Sequence, residues 1–170
     1  MNPELIGLRI IHVVGAILWA GTSWFMAFFL GPALATVGPA AGPVMAAIQK
    51  RKLFTIVPIV AVLVMLAGLR LLQIASNGFS ASYFATRSGT TYVTGAVCAL
   101  LAFTVFMSVS HPSLAKMMKL GPQMAQAPEA ERGALMAEMN VVRARAGKAS
   151  LATAMLLTLA AIAMAVGRYV

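Results

Sequence analysis

LRIIHVVGAILWAGTSWF, residues 8–25, decides the fold. Apart from Arg9 and His12 it is almost wholly apolar, and it sits inside a longer apolar window, roughly 5–30. Three more windows follow at about 53–75, 90–110 and 149–167. A helix that crosses a bilayer needs about 20 such residues. None of the windows alternates with the period of a barrel strand, and backbone in lipid must satisfy its own hydrogen bonds, so each window reads as helix. Composition agrees: 61% of the 170 residues are hydrophobic and 10% are charged, against about 25% charged in a soluble domain. The sequence predicts an all-α integral membrane protein, a four-helix bundle making a single transmembrane domain over residues 1–170.

A net charge of +9 suggests nucleic acid until its distribution is read. Lys50, Arg51 and Lys52 lie in the loop 31–52, and Lys116, Lys119, Arg132, Arg143, Arg145 and Lys148 in the loop 112–148. Both loops fall on one side of a four-span chain, and only Arg9, Arg70, Arg87 and Arg168 fall toward the other. Lys and Arg collect in cytoplasmic loops, so both termini are expected outside. Anionic headgroups are the expected partner of this charge, and nucleic acid is not.

Punctuation along the chain refines the plan. Gly-Pro at 31–32 is expected to end the first helix, since proline removes a donor and restricts the residue before it. Pro43 suits the first turn of a new helix running through the basic cluster into the second span. Pro58 is expected to kink that span, and Ser76-Asn77-Gly78 to end it. The third span meets Pro112 directly after His111. Pro128, Glu129 and Glu131 mark a helix start, and Leu135, Met139 and Val142 share one face. Residues 129–146 therefore read as a short cytoplasmic amphipathic helix between the third and fourth spans, lying on the membrane, against a partner, or as a cap on the bundle. Ala16 with Ala20, and Ala161 with Ala165, are spaced for close helix approach.

Ala33-Leu34-Ala35 looks like a signal-peptidase site, but the apolar run before it exceeds a 7–15-residue signal core, so the segment is expected to be retained. No internal repeat is visible, which argues against an inverted-repeat transporter. Cys98 is the only cysteine, so the chain has no internal disulfide and no CxxC motif.

Polar groups within the spans carry the functional reading. At 1.5 Å per residue, His12 lies about 10 Å below the outer boundary, with Arg9 one turn above it and Arg70 at similar depth on the second span. Imidazole is a good axial ligand for haem iron, a porphyrin can slot between packed helices, and arginines can pair with its propionates. Gly15 would open space beside the ligand and Trp19 would line the same face. A b-type haem or related porphyrin on His12, held by Arg9, Arg70, Gly15 and Trp19, is one expectation. The other is that His12 hydrogen-bonds a neighbouring helix and the arginines reach for headgroups. His111 lies at the opposite membrane end, about 20 Å from His12 in depth, so one iron cannot bind both. The 12 methionines raise copper as a third expectation, but none clusters with His12, and flexible packing explains them better. No carboxylate lies at depth in the spans and no catalytic signature appears.

H-x6-W-x-G at His12, Trp19 and Gly21 resembles the first-helix pattern of a group of four-helix bacterial membrane proteins. The group includes copper-resistance D-type proteins and HemJ-type protoporphyrinogen oxidases. Arg51, Leu53, Phe54, Pro58 and Gly68 resemble its second helix, and the likeness covers about the first 75 residues. It implies a bacterial inner-membrane location and a haem- or metal-related role for His12. The oxidases also use a lysine early in the third helix, for which this chain has no counterpart between Lys52 and Lys116, and their Asn-Glu-x-Pro feature is replaced at Asn140 by Asn-Val-Val. The resemblance thus implies the scaffold without the oxidase apparatus. Two functions follow as expectations: electron transfer or cofactor handling by a haem protein, or a non-catalytic accessory subunit of a larger respiratory or photosynthetic membrane complex.

Overall fold

The computed structural model describes residues 2–170, and every regular element among them is a helix. The first, α1 (Pro3–Phe25), starts as its sequence dictates. The Asn2 side chain accepts the Glu4 amide at 3.0 Å, proline occupies the first turn where no donor is needed, and Glu4 meets the positive end of the helix dipole. Gly31-Pro32 does not end this helix. A π-turn over Met26–Leu30 carries it into α2 (Gly31–Thr36), giving one continuous helix from Pro3 to Thr36. The cause is the proline ring, which in α-geometry would strike the carbonyl four residues back. Widening the turn by one residue, with the Gly31 amide donating to Met26, moves that carbonyl aside.

The third span repeats the device. Its helix α6 (Arg87–Val105) passes through a second π-turn, Phe106–Ser110, into α7 (His111–Gln126), and the His111 amide donates to Phe106 just before Pro112. Between these long helices, α3 (Ala41–Lys50) stops at Arg51-Lys52 and does not run into the second span. Lys52 adopts φ 59 and reverses the chain into α4 (Leu53–Ala75). Pro58 lies inside α4, which continues unbroken past it. Asn77, Gly78 and Phe79, with φ 50, 82 and 67, turn the chain back. A single turn, α5 (Ala81–Phe84), then precedes the Thr86 cap of α6, whose hydroxyl accepts the Gly89 amide at 3.0 Å.

The last helix corrects the expected layout. Residues 129–146 are not a separate amphipathic element but the first half of α8 (Glu129–Val166), a single 38-residue rod. Its Leu135, Met139 and Val142 are turned into the chain's own packing. They pack on Met117, Leu120 and Met124 of α7, and Lys116 pairs with Glu138 at 2.6 Å across the same hairpin.

Four helices are long and apolar enough to cross a membrane: Pro3–Thr36, Leu53–Ala75, Arg87–Gln126 and Glu129–Val166. They pack chiefly as two antiparallel pairs, α1 with α4 and α6 with α8. Trp19, Val57, Ala61, Val64, Ala102 and Leu157 form the core that joins the pairs, with the Trp19 ring edge-on to Phe103 at 6.3 Å. Ala16 and Ala20 pack against this core as their spacing suggested, whereas Ala161 and Ala165 are exposed. Gly95 supplies the close approach instead: a Cβ there would lie 3.1 Å from the Ala163 Cβ and 3.3 Å from the Ala160 carbonyl.

Candidate functional site at the α1–α4 seam

The antiparallel pairing of α1 and α4 brings His12 to the middle of a seam. Its Nδ1 lies 2.9 Å from the Val64 carbonyl oxygen. A carbonyl only accepts, so Nδ1 carries the proton and donates, which leaves the Nε2 lone pair as the ring's second polar site in the neutral form. The ring lies flush on Gly68. A Cβ at that position would come 2.7 Å from His12 Cε1 and 3.0 Å from Nδ1, so glycine is what lets the imidazole reach the helix backbone.

The seam is tight on both sides of the histidine. Gly15, one turn along α1, abuts α4, where a Cβ would meet Val64 Cγ2 at 2.6 Å and Val60 Cγ1 at 3.3 Å. Trp19, one turn further, is 2% exposed and belongs to the core. Gly15 thus brings the helices together and does not open a slot beside His12, and Trp19 fills the interior and does not line a recess.

Toward the chain termini the seam closes on an ion pair. Arg70 donates from Nε and Nη2 to Glu4 Oε1 at 2.8 and 2.7 Å, and from Nη1 to Gln73 Oε1 at 2.9 Å. Arg9 is exposed. The structure therefore gives Arg70 a carboxylate partner within the chain. Glu4 is the residue that sequence reading missed. Its acidity was assigned no role, although its place in the first turn of α1, level with the last turns of α4, was the available signal.

His111 lies at the other end of the molecule, exposed, with its ring edge-on to Phe106 at 6.3 Å. Two surface recesses lie away from His12, one lined by Phe84, Thr90, Val93 and Thr94, the other by Ala75, Ser76, Asn77, Ser80, Ser82, Tyr83 and Thr86. Among the described residues no three His, Cys, Asp or Glu gather as a metal group.

These contacts test the porphyrin directly. Its planar ring needs a gap between helices, and the positions named for that gap are in van der Waals contact with α4 or buried in the core. The seam residues do not fit a porphyrin between α1 and α4. Only His12 Nε2, which makes no hydrogen bond among the described residues, keeps ligand chemistry. Compared with protein-family models, curated proteins and solved structures, the chain matches none.

Proposed function

We propose that the chain is a non-catalytic, multi-pass membrane subunit that docks within a larger respiratory or photosynthetic assembly, with both termini outside and the basic loops in the cytoplasm. One observation carries the reading: the one histidine of the first span, His12, is spent on an interhelical hydrogen bond to Val64 and seated on Gly68. The intramembrane histidine is then a clamp between α1 and α4. Neutral polar bonds of this kind hold membrane helices together where the hydrophobic effect between them is weak.

The long hairpin supports the same reading. At 1.5 Å per residue α8 is about 57 Å long, and a hydrocarbon core of about 30 Å leaves some 27 Å projecting on the basic side. That arm, α7 against the first half of α8, carries its own small apolar core of Leu120, Met139 and Val142. Ala130, Ala134, Ala137, Val141 and Ala144 line its outward face, with Val141 69% exposed. Lys148, Arg145 and the cluster Lys50–Arg51–Lys52 are placed to meet anionic headgroups at its base.

The test is purification in mild detergent. A colourless protein recovered in fixed stoichiometry with a large membrane complex supports the proposal. A protein recovered alone, with a Soret band, overturns it.

A second reading has one specific support. Metal-bound histidines commonly donate their other ring N–H to a carbonyl, and His12 does this through Nδ1, leaving Nε2 for iron or copper. A b-type haem would then sit on the flank of the seam, and its Soret band would vanish in His12→Ala.

A further inference from the structure

Thr153 stands at the centre of the buried face of α8, 2% exposed, and its hydroxyl has no hydrogen-bond partner among the described residues. Threonines in helices ordinarily return their hydroxyl to the carbonyl one turn back, as Thr158 does to Ala154 at 2.8 Å. Thr153 does not, so its own helix leaves the hydroxyl unsatisfied. A buried hydroxyl without a partner is costly enough that its surroundings have to be asked for one.

The register between α1 and α8 says what lies at the same height. Trp24 Nε1 donates to Thr158 Oγ1 at 2.7 Å, which fixes the two antiparallel helices against each other. Five residues toward the basic end, about 7.5 Å at the helical rise, Thr153 comes level with Phe28 and Phe29. Those residues belong to the first π-turn, and that turn packs on α8. It is also where the backbone of α1 lacks donors. The Gly31 amide is committed to Met26, and Pro32 has no amide to offer Ala27 or Phe28. The second π-turn packs on α8 as well, and within it Ser110 has a buried hydroxyl with no partner. Pro112 likewise offers no amide to Ser108.

We propose that this level of the molecule is a water-binding site, in which ordered water links the Thr153 hydroxyl to the carbonyls of the first π-turn. The chemistry selects water. The carbonyls require a donor, the hydroxyls accept or donate, and one molecule with two donors and two acceptors meets both needs. A bare cation would meet the carbonyls but finds no carboxylate at this level, since the four acidic residues are Glu4, Glu129, Glu131 and Glu138, and the nearby charges are basic.

Radiolytic footprinting of the full-length protein in nanodiscs tests this, because bound water generates hydroxyl radicals where it sits. Met26, half-buried in the first π-turn, is expected to oxidise faster than the more exposed Met155 on the outer face of α8. Thr153→Val is expected to slow Met26 oxidation several-fold and to lower the melting temperature, with Thr153→Ser close to wild type in both. Slower oxidation at Met26 than at Met155 in the wild type overturns the site without any variant. So does a Thr153→Val protein that melts higher, because the hydroxyl was then merely unsatisfied. A melting temperature that rises with added Na+ or K+ at constant ionic strength overturns water as the occupant.

Discussion

Gly68→Ala is the most informative substitution, because its effect depends on His12. The added methyl would sit 2.7 Å from His12 Cε1 and 3.0 Å from Nδ1, closer than side-chain carbons approach a ring. The imidazole cannot swing away freely, since its Nδ1 is bonded to Val64 at 2.9 Å. Either that bond breaks or α1 and α4 separate. Overpacking of this kind costs about 1–3 kcal/mol. Alanine in a helix interior returns up to ~1 kcal/mol relative to glycine. The net expectation is a loss of about 0–2 kcal/mol from these two terms. His12→Ala alone loses an interhelical bond of ~0.6 kcal/mol, typical for membrane helices, together with the packing of the ring on Gly68. In the double variant the new methyl occupies space the ring has left, so the two losses should not add. Residues in contact show coupling of about 0.5–3 kcal/mol, and this pair should fall in that range with the double variant more stable than the sum predicts. The assay is reversible unfolding in mixed micelles, followed by the fluorescence of Trp19 and Trp24, for wild type, both single variants and the double. Additivity within about 0.5 kcal/mol would refute the clamp, because uncoupled sites behave that way.

Two further outcomes follow from other parts of the molecule. Glu4→Gln removes the partner of Arg70, but both side chains are 47% exposed, so unfolding should shift by no more than ~1 kcal/mol and the shift should shrink as salt is raised; a large, salt-independent loss in the same micelle assay would show the pair to be far better shielded than its exposure indicates. Leu120→Ala opens the core between α7 and α8, where Leu120 is 4% exposed, at a cost of about 2–5 kcal/mol locally; hydrogen exchange should rise over 113–146 while residues 53–75 stay protected, and uniform loss of protection would mean that the arm and the spans unfold as one unit.

Much of the fold was legible because the bilayer is a strict solvent. Runs such as 53–75 had no alternative to helix, and the turn at Ser76-Asn77-Gly78 carried residues that tolerate left-handed backbone. The ends of the first and third helices were less legible, and for one reason. Proline was read as a terminator, but it only forbids the α-helical bond at its own position. When the flanking sequence can widen by one residue, as at Met26–Leu30 and Phe106–Ser110, the helix passes through, giving rods of 34 and 40 residues. Apolar periodicity could not reveal this, because both sides of the π-turn keep a helical repeat and only the phase between them changes.

The candidate site was legible as a list of residues and not as an arrangement. Depth alone brings His12, Arg9 and Arg70 to one level, whereas function turns on which face each presents and what opposes it. Gly68 decided that. In the sequence it is a glycine late in the second span, noted only for its match to a second-helix pattern, yet it is the surface on which the imidazole lies while Nδ1 reaches the Val64 carbonyl. The same logic applies to Gly15, whose missing side chain could have meant either space for a ligand or contact with a neighbour. A glycine beside a polar intramembrane residue is ambiguous until the opposing helix is placed. Here the opposing helix is close enough that Val64 supplies both the methyl against Gly15 and the carbonyl for His12. One residue of α4 thus closes the gap and satisfies the imidazole, and for that reason the two halves of the clamp should respond to mutation as a single unit.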